Sequence, residues 1–281
     1  MPSGTAIFTD TSIQIARLLR EPEMKKAIEQ RLASYNITIS SPVVVQEFKR
    51  RVINEAVYLM NQLNAKGSYE KVQRHVTSVL PPQQNRKRQI CLLMLQEIFK
   101  DRDDAELTER AKRYLRTLIK HGIFRLKKNL GHLVSGTGCY LSNYPIKEKK
   151  PYERYDLGEK KCCSLCPVTD FLKEKNELCK QILEILSNLP NKTKELEKAC
   201  EFLQKCLVHP DGVHEMEPCS SVGDLLIALE SHKILNFYTM NYKESTFFCG
   251  VLGQNLIVRP NNPVYQDIIY SNTFQAMESS K

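Results

Sequence analysis

Three acidic residues sit where a parallel α/β fold would place chemistry. Asp10 follows the apolar run Ala6-Ile7-Phe8-Thr9, Glu47 lies on the first helical turns after Ile37-Thr38-Ile39, and Asp224 opens Val222-Gly223-Asp224-Leu225-Leu226-Ile227-Ala228. Ligands of such sheets bind beyond the carboxyl ends of the strands, so acids from three separate segments can meet there. Clustered carboxylates repel unless a cation sits among them. Hard oxygen donors favour Mg²⁺ or Mn²⁺ over zinc. Each acid also has a plain structural use. Asp10 before Thr11-Ser12 can cap a helix, Asp224 can sit against a helix dipole, and Glu47 can be a solvated helix residue.

The cysteines offer a second chemistry. Cys162, Cys163 and Cys166 form CCxxC, and Cys163 with Cys166 has the spacing of half a structural zinc site. Cys179, Cys200, Cys206, His209, His214 and Cys219 are the candidates for the other half, but Cys179, Cys200 and Cys206 fall on helical patterns, where a buried thiol acts as a small hydrophobe. The stretch Ser135-Gly136-Thr137-Gly138 lacks the lysine of a phosphate loop and reads as an ordinary loop. There is no GxSxG elbow, so a hydrolase triad has no support.

The elements that must position the acids read as β-α-β-α at both ends. Ala6–Thr9 is a short strand, 12–19 and 23–35 are helical, and Ile37–Ile39 is a second strand. Ser41-Pro42 opens a helix running through Glu47 to Leu59. Helices are expected over 86–99, 105–121, 171–186 and 193–207. Residues 131–161, with four glycines and four tyrosines, read as a loop or lid. Ser220 or Ser221 then caps a helix to Ser231, followed by strand 234–239, helix 244–252 and strand 255–258. This alternation predicts an α/β fold with a parallel sheet, carried by residues 1–65 and 208–262. A mostly helical insertion spans 66–207 and a tail 263–281.

Charge singles out the insertion. The chain of 281 residues carries a formal charge of +9, and residues 71–161 hold 21 Lys and Arg against 10 Asp and Glu, leaving the remainder slightly acidic. Arg110, Arg113, Arg116 and Lys120, continued by Arg125, Lys127 and Lys128, flank the apolar stripe of helix 105–121, and Tyr140, Tyr144, Tyr152 and Tyr155 follow. Cations interleaved with aromatic rings suit a polyanion such as single-stranded nucleic acid. The longest apolar run of the first half, Ile90–Leu95, falls well below the ~20 residues a membrane span needs. MPSGTAIFTD has neither the basic nor the apolar part of a secretion signal. Reduced thiols and a cytoplasmic location are expected, without a membrane partner; a homo-oligomer or a protein partner stays open.

Four segments, in order, resemble the motifs of PIN-domain nucleases. Ile7-Phe8-Thr9-Asp10-Thr11-Ser12 is similar to the opening strand and first acid. Ile39-Ser40-Ser41-Pro42-Val43-Val44-Val45-Gln46-Glu47-Phe48 resembles the second strand and the helix of the second acid. Gly223-Asp224-Leu225-Leu226-Ile227-Ala228 resembles the third acid motif, and Thr239-Met240-Asn241-Tyr242-Lys243-Glu244 the strand-end threonine and fourth position. The resemblance covers roughly 4–60 and 208–260 and leaves the middle unexplained. It implies a three-layer α/β/α sheet and an endoribonuclease cutting single-stranded RNA, with Asp10, Glu47 and Asp224 as ligands of Mg²⁺ or Mn²⁺ and Asn241 as a fourth catalytic position. Asn241 departs from the acid common there; Glu244 and Asp211 are candidate substitutes. Nothing in the residues separates RNA from DNA. The alternative is a PIN-like scaffold or nucleic-acid-binding module without catalysis, with or without structural Zn²⁺ at Cys163 and Cys166.

Overall fold

The computed structural model describes residues 6–78, 85–100, 106–138, 147–149, 154–156, 167–208, 222–262 and 266–271. Its centre is a six-stranded sheet. β1 (Ala6–Thr9) pairs in parallel with β2 (Ile37–Ser40) on one side and β6 (Asn236–Thr239) on the other. β3 (His132–Leu133) extends the sheet beyond β2, and β7 (Asn255–Val258) extends it beyond β6, both in parallel; β8 (Ile268–Tyr270) closes the far edge antiparallel to β7. The order is therefore β3-β2-β1-β6-β7-β8. A separate antiparallel pair, β4 (Lys147–Lys149) with β5 (Arg154–Asp156), lies in the segment expected to be a loop.

Alternate residues of the strands point to opposite faces, and both faces are covered. Ile7, Tyr238 and Ile257 pack on α1 (Thr11–Leu19) and α2 (Pro22–Leu32) through Ile13, Ala16, Met24 and Ile28. On the other face Phe8 stacks on Phe237 with ring centroids 5.3 Å apart. Leu256 joins them, under α3 (Pro42–Phe48), α11 (Gly223–Ser231) and α12 (Tyr242–Leu252). The chain is thus α/β, with a mostly parallel sheet between helical layers.

α4 (Asn54–Lys66) and the helices expected as an insertion divide between two cores. α4, α5 (Tyr69–Ser78), α6 (Asn85–Phe99) and α7 (Leu107–Lys128) pack around Val45, Phe48, Ile15 and Leu19. α8 (Pro167–Glu174), α9 (Asn176–Asn188) and α10 (Lys194–Val208) join the core that holds Phe8 and Phe237. Among the described residues no helix is long and apolar enough to cross a membrane.

Local chemistry accounts for the starts of the site-bearing helices. Asp10 caps α1 by accepting from the Ile13 N–H. Ser41 caps α3 by accepting from the Val44 N–H, with Pro42 in the first turn. The helix expected to run unbroken from Pro42 past Leu59 does not. After α3, residues Lys49–Ile53 form a π-helical turn before α4 begins. Its wider winding keeps Val52 and Ile53 fully buried while Arg50 and Arg51 stay partly exposed. The helix expected over 171–186 is likewise two, broken at Lys175.

Candidate active site

The parallel register sets the first acid. Thr9 pairs with Tyr238, and the Asp10 N–H bonds the Tyr238 carbonyl at 3.2 Å, so Asp10 and Thr239 leave the sheet side by side. Thr239 Oγ1 donates to Asp10 Oδ2 at 2.6 Å, and Ser12 Oγ donates to Oδ1 at 2.7 Å. Both hydroxyls in turn accept backbone N–H groups, Thr239 from Asn241 at 2.7 Å and Ser12 from Met240 at 2.8 Å. Two strand ends are laced together around one buried carboxylate. Burial drives the Asp10 carboxyl upward from its ordinary range, with Glu47 adding to the rise, against the hydrogen bonds that lower it.

Glu47 reaches the same place from α3. Thr11 Oγ1 donates to its Oε2 at 2.6 Å, and Arg51, one turn on, donates to Oε1 at 3.2 Å. The start of α11 lies against it: a Cβ built on Gly223 would come within 2.5 Å of Glu47 Oε1. A side chain here would displace the Glu47 carboxylate from its present position. Asp224 follows directly and differs from the other two. No donor among the described residues hydrogen-bonds its carboxylate, and its carboxyl is pushed up to about 7. Burial is the main cause, with Glu47, Asp10 and Glu244 adding repulsion and Arg51 opposing them. Glu244, in the first turn of α12, is buried and near enough to contribute, whereas Asn241 caps no backbone group with its side chain and faces the cleft.

Asp10, Glu47, Asp224 and Asn241 share one cleft of about 750 Å³. Its other wall comes from the end of α1, the π-turn and α6, and carries Arg20, Arg50, Arg51, Arg86 and Lys87. All four expected catalytic positions are thus brought together. The expected basic face is elsewhere: Arg110, Arg113, Arg116, Lys120, Arg125, Lys127 and Lys128 all lie on α7, and none lines this cleft. Arg51 and Glu47 at i and i+4 were readable as a helical pair, but Arg20, Arg50 and Arg86 had no signal beyond their charge. Only the fold brings them to the acids.

The donor chemistry of Asp10, Glu47, Asp224 and Asn241 fits a hard divalent ion: three carboxylates and one carboxamide, with no thiol or imidazole in the cleft lining. As the side chains are placed, though, no group of three or more His, Cys, Asp or Glu among the described residues is drawn close enough to hold a metal. Glu47 is turned onto Thr11 and Arg51, and Asp10 onto Ser12 and Thr239.

Cys163, Cys166 and Asp211 lie outside the described residues. The described cysteines Cys91, Cys179, Cys200, Cys206 and Cys249 are buried. Burial holds Cys179 at about 11 and Cys206 at about 12, as thiols within the core of α9 and α10. The Ser135–Gly138 loop serves the scaffold. The Thr137 N–H donates to buried Glu230 at 2.7 Å and Gly136 packs directly on the same carboxylate, which also accepts from Val43 N–H at the start of α3. Glu230 thereby fixes the helix that carries Glu47.

No protein-family model, curated protein or solved structure matches this chain. The chemistry of the cleft has to be read from its own side chains.

Proposed function

We propose that the chain is a PIN-like, metal-dependent nuclease that hydrolyses phosphodiester bonds in single-stranded RNA. The observation that carries this reading is Asp224: a carboxylate without a hydrogen-bond donor among the described residues, beside Asp10, Glu47 and Glu244, raised to about 7 by burial and by their charges. Such a cluster costs stability unless something cationic enters it, and Arg20, Arg50, Arg51 and Arg86 line the same cleft.

Asp10, Glu47 and Asp224 are the residues that would hold Mg²⁺ or Mn²⁺, with Asn241 beside them. When bound, such an ion makes a water more acidic and neutralises charge developing on a phosphodiester. The chain's own residues supply the rest. Ser12 and Thr239 orient both oxygens of Asp10, and their hydrogen bonds oppose the upward push of burial on its carboxyl. Thr11 and Gly223 fix where Glu47 can lie. Arg51 offsets the negative charge of Glu47 and Asp224 and stands ready to meet a phosphate.

A second reading, a PIN-like scaffold or nucleic-acid-binding module without catalysis, is favoured by one observation. Glu47 is already occupied by Thr11 and Arg51, and no three acids among the described residues are placed so as to hold a metal ion. A cleavage assay on labelled single-stranded RNA separates the two. Activity is expected only with Mg²⁺ or Mn²⁺, to vanish with a chelator, and to fall at least ~10³-fold in Asp10→Asn, the scale of losing a major charge-stabilising group. Activity that survives both chelator and substitution overturns the metal mechanism. Inactivity on every RNA and DNA tried supports the scaffold.

A further inference from the structure

The cleft holds five cations and four acids, but they are not mutually neutralised. Arg51 pairs with Glu47 at 3.2 Å. Lys87 pairs with Glu55 at 3.7 Å and lies over the Tyr58 ring, 3.8 Å from its centroid. These two cations are held by the fold. The remaining three are not. Arg50 and Arg86 meet no carboxylate within ion-pair distance among the described residues, and Arg20 reaches only the amide oxygen of Asn261, at 3.4 Å. Three guanidinium groups from three elements therefore face one concavity without a counter-charge among the described residues.

Their placement serves no evident purpose in stability. Arg86, Lys87 and Arg88 crowd the first turn of α6, which carries no acidic residue, and cations at that end oppose the helix dipole. Arg50 stands on the π-turn, a distortion that re-aims side chains and recurs at functional sites. Between the cations, Ile90, Leu92 and Leu93 of α6 line the same wall, half-buried, with Gln89 and Gln96 beside them.

We propose that Arg50 and Arg86, extended by Arg20, bind the backbone phosphates of a single-stranded polynucleotide and lead it across the acids, with the α6 side chains packing on its bases. The choice of ligand rests on the nuclease reading of the same cleft; the binding itself does not depend on cleavage. Guanidinium forks suit phosphate oxygens. An apolar, amide-lined wall suits bases with open faces, which a duplex conceals. The cleft, of about 750 Å³, lies within the size range of small-ligand pockets. This assigns substrate gripping to α6 and the π-turn, and leaves the cations of α7 outside the site.

The test is fluorescence polarisation of a labelled oligouridylate of about 12 nucleotides, a length that spans typical single-strand sites. It is measured in chelator over a series of salt concentrations, so that no strand is cut. Wild type should bind. Arg50→Ser with Arg86→Ser should weaken binding at least ~10-fold at fixed salt and flatten the log–log salt slope by about 1.4, which is about 0.7 for each phosphate of a single strand that is no longer neutralised. Arg113→Ser with Lys120→Ser should stay within about twofold of wild type on the same scale, and a duplex of equal length should bind more weakly than the single strand. If the double variant does not fold by circular dichroism, Arg86→Ser alone, at an exposed side chain, should remove about half of that slope change. Wild type that fails to bind, a double variant that binds like wild type, or a greater weakening from the α7 pair overturns the proposal. Wild type that binds as expected yet cuts nothing when Mn²⁺ is restored rejects the nuclease reading and leaves this one standing.

Discussion

Asp267 and Asp224 are two half-buried acids beside the same sheet with opposite surroundings. The side chain of Asp267, just before β8, is almost wholly enclosed. It is clasped by Arg31 Nε and Arg259 Nε, each at 2.7 Å, and by the Tyr238 hydroxyl at 3.2 Å. Glu230 is similar in kind, accepting backbone N–H groups from α3 and from the loop after β3. Asp224 has other acids for neighbours and no donor among the described residues. A buried charge surrounded by donors is a clasp, and removing one partner strands the others. A buried charge surrounded by like charge is a cost that the fold retains, and in a cleft that combination marks a functional candidate.

The contrast is put under most strain at Asp267. Asp267→Ala leaves Arg31 and Arg259 facing each other with Tyr238, and should lower stability by about 3–5 kcal/mol, the range for stranding a buried charge. Urea unfolding measures it. RNA cleavage per folded molecule should change little, since Asp267 is not part of the cleft lining. A stable Asp267→Ala protein would mean that the clasp is not one.

Asp224→Asn should move stability the other way. Its carboxyl is raised from 3.8 to about 7, so between those values the folded chain keeps a proton that the unfolded chain has released. Stability therefore falls as pH rises through this window, and the penalty is complete above it. The amide removes the penalty. Metal-free Asp224→Asn should melt higher than wild type at about pH 8, by about 2–4 °C for each kcal/mol relieved, and the gap should close as pH falls toward the lower end of that window. A variant that melts lower throughout would place Asp224 among the clasps.

Two further substitutions probe the charge balance of the cluster. Arg51 is its internal cation, so Arg51→Ala should tighten Mn²⁺ binding by about 5-fold, on the order of 1 kcal/mol for one charge near the surface, while slowing cleavage. Calorimetric titration reads the first and the assay reads the second; weaker Mn²⁺ binding would show that Arg51 supports the site instead. Asn241→Ala should change least, within about 10-fold in cleavage rate, because a neutral carbonyl contributes less to holding a cation than a carboxylate does.

What was legible in the sequence was what short-range chemistry controls. The apolar runs that lead to Asp10 and Thr239, Ser41-Pro42 ahead of Glu47, and Gly223-Asp224 placed Asp10 at a strand end and Glu47 and Asp224 on helices. The two edge strands were not legible. β3 is only two exposed residues with no alternation, and β8 follows Pro263 in a segment without a strand pattern. The π-turn was equally hidden, because its apolar spacing differs from an α-helix by a single residue. The basic wall failed for another reason. Counting charge by window finds density, and density pointed to α7. Arg20, Arg50 and Arg86 belong to three different windows and become one surface only when α6 packs beside α1 and the π-turn.

The metal-site reading stands or falls on whether Asp224 and its neighbours form an acid cluster completed by a divalent cation. Mn²⁺ titration of the intact wild-type chain and of Asp224→Asn, followed by calorimetry at about pH 8 and again about two units lower, decides it, since protons and metal compete for the same carboxylates. Wild type should bind at the higher pH, with binding weakened at least ~10-fold by Asp224→Asn and weakened again at the lower pH, as a group titrating near 7 requires. Absence of Mn²⁺ binding to wild type, or equal binding by both proteins at both pH values, would contradict the acid-cluster account.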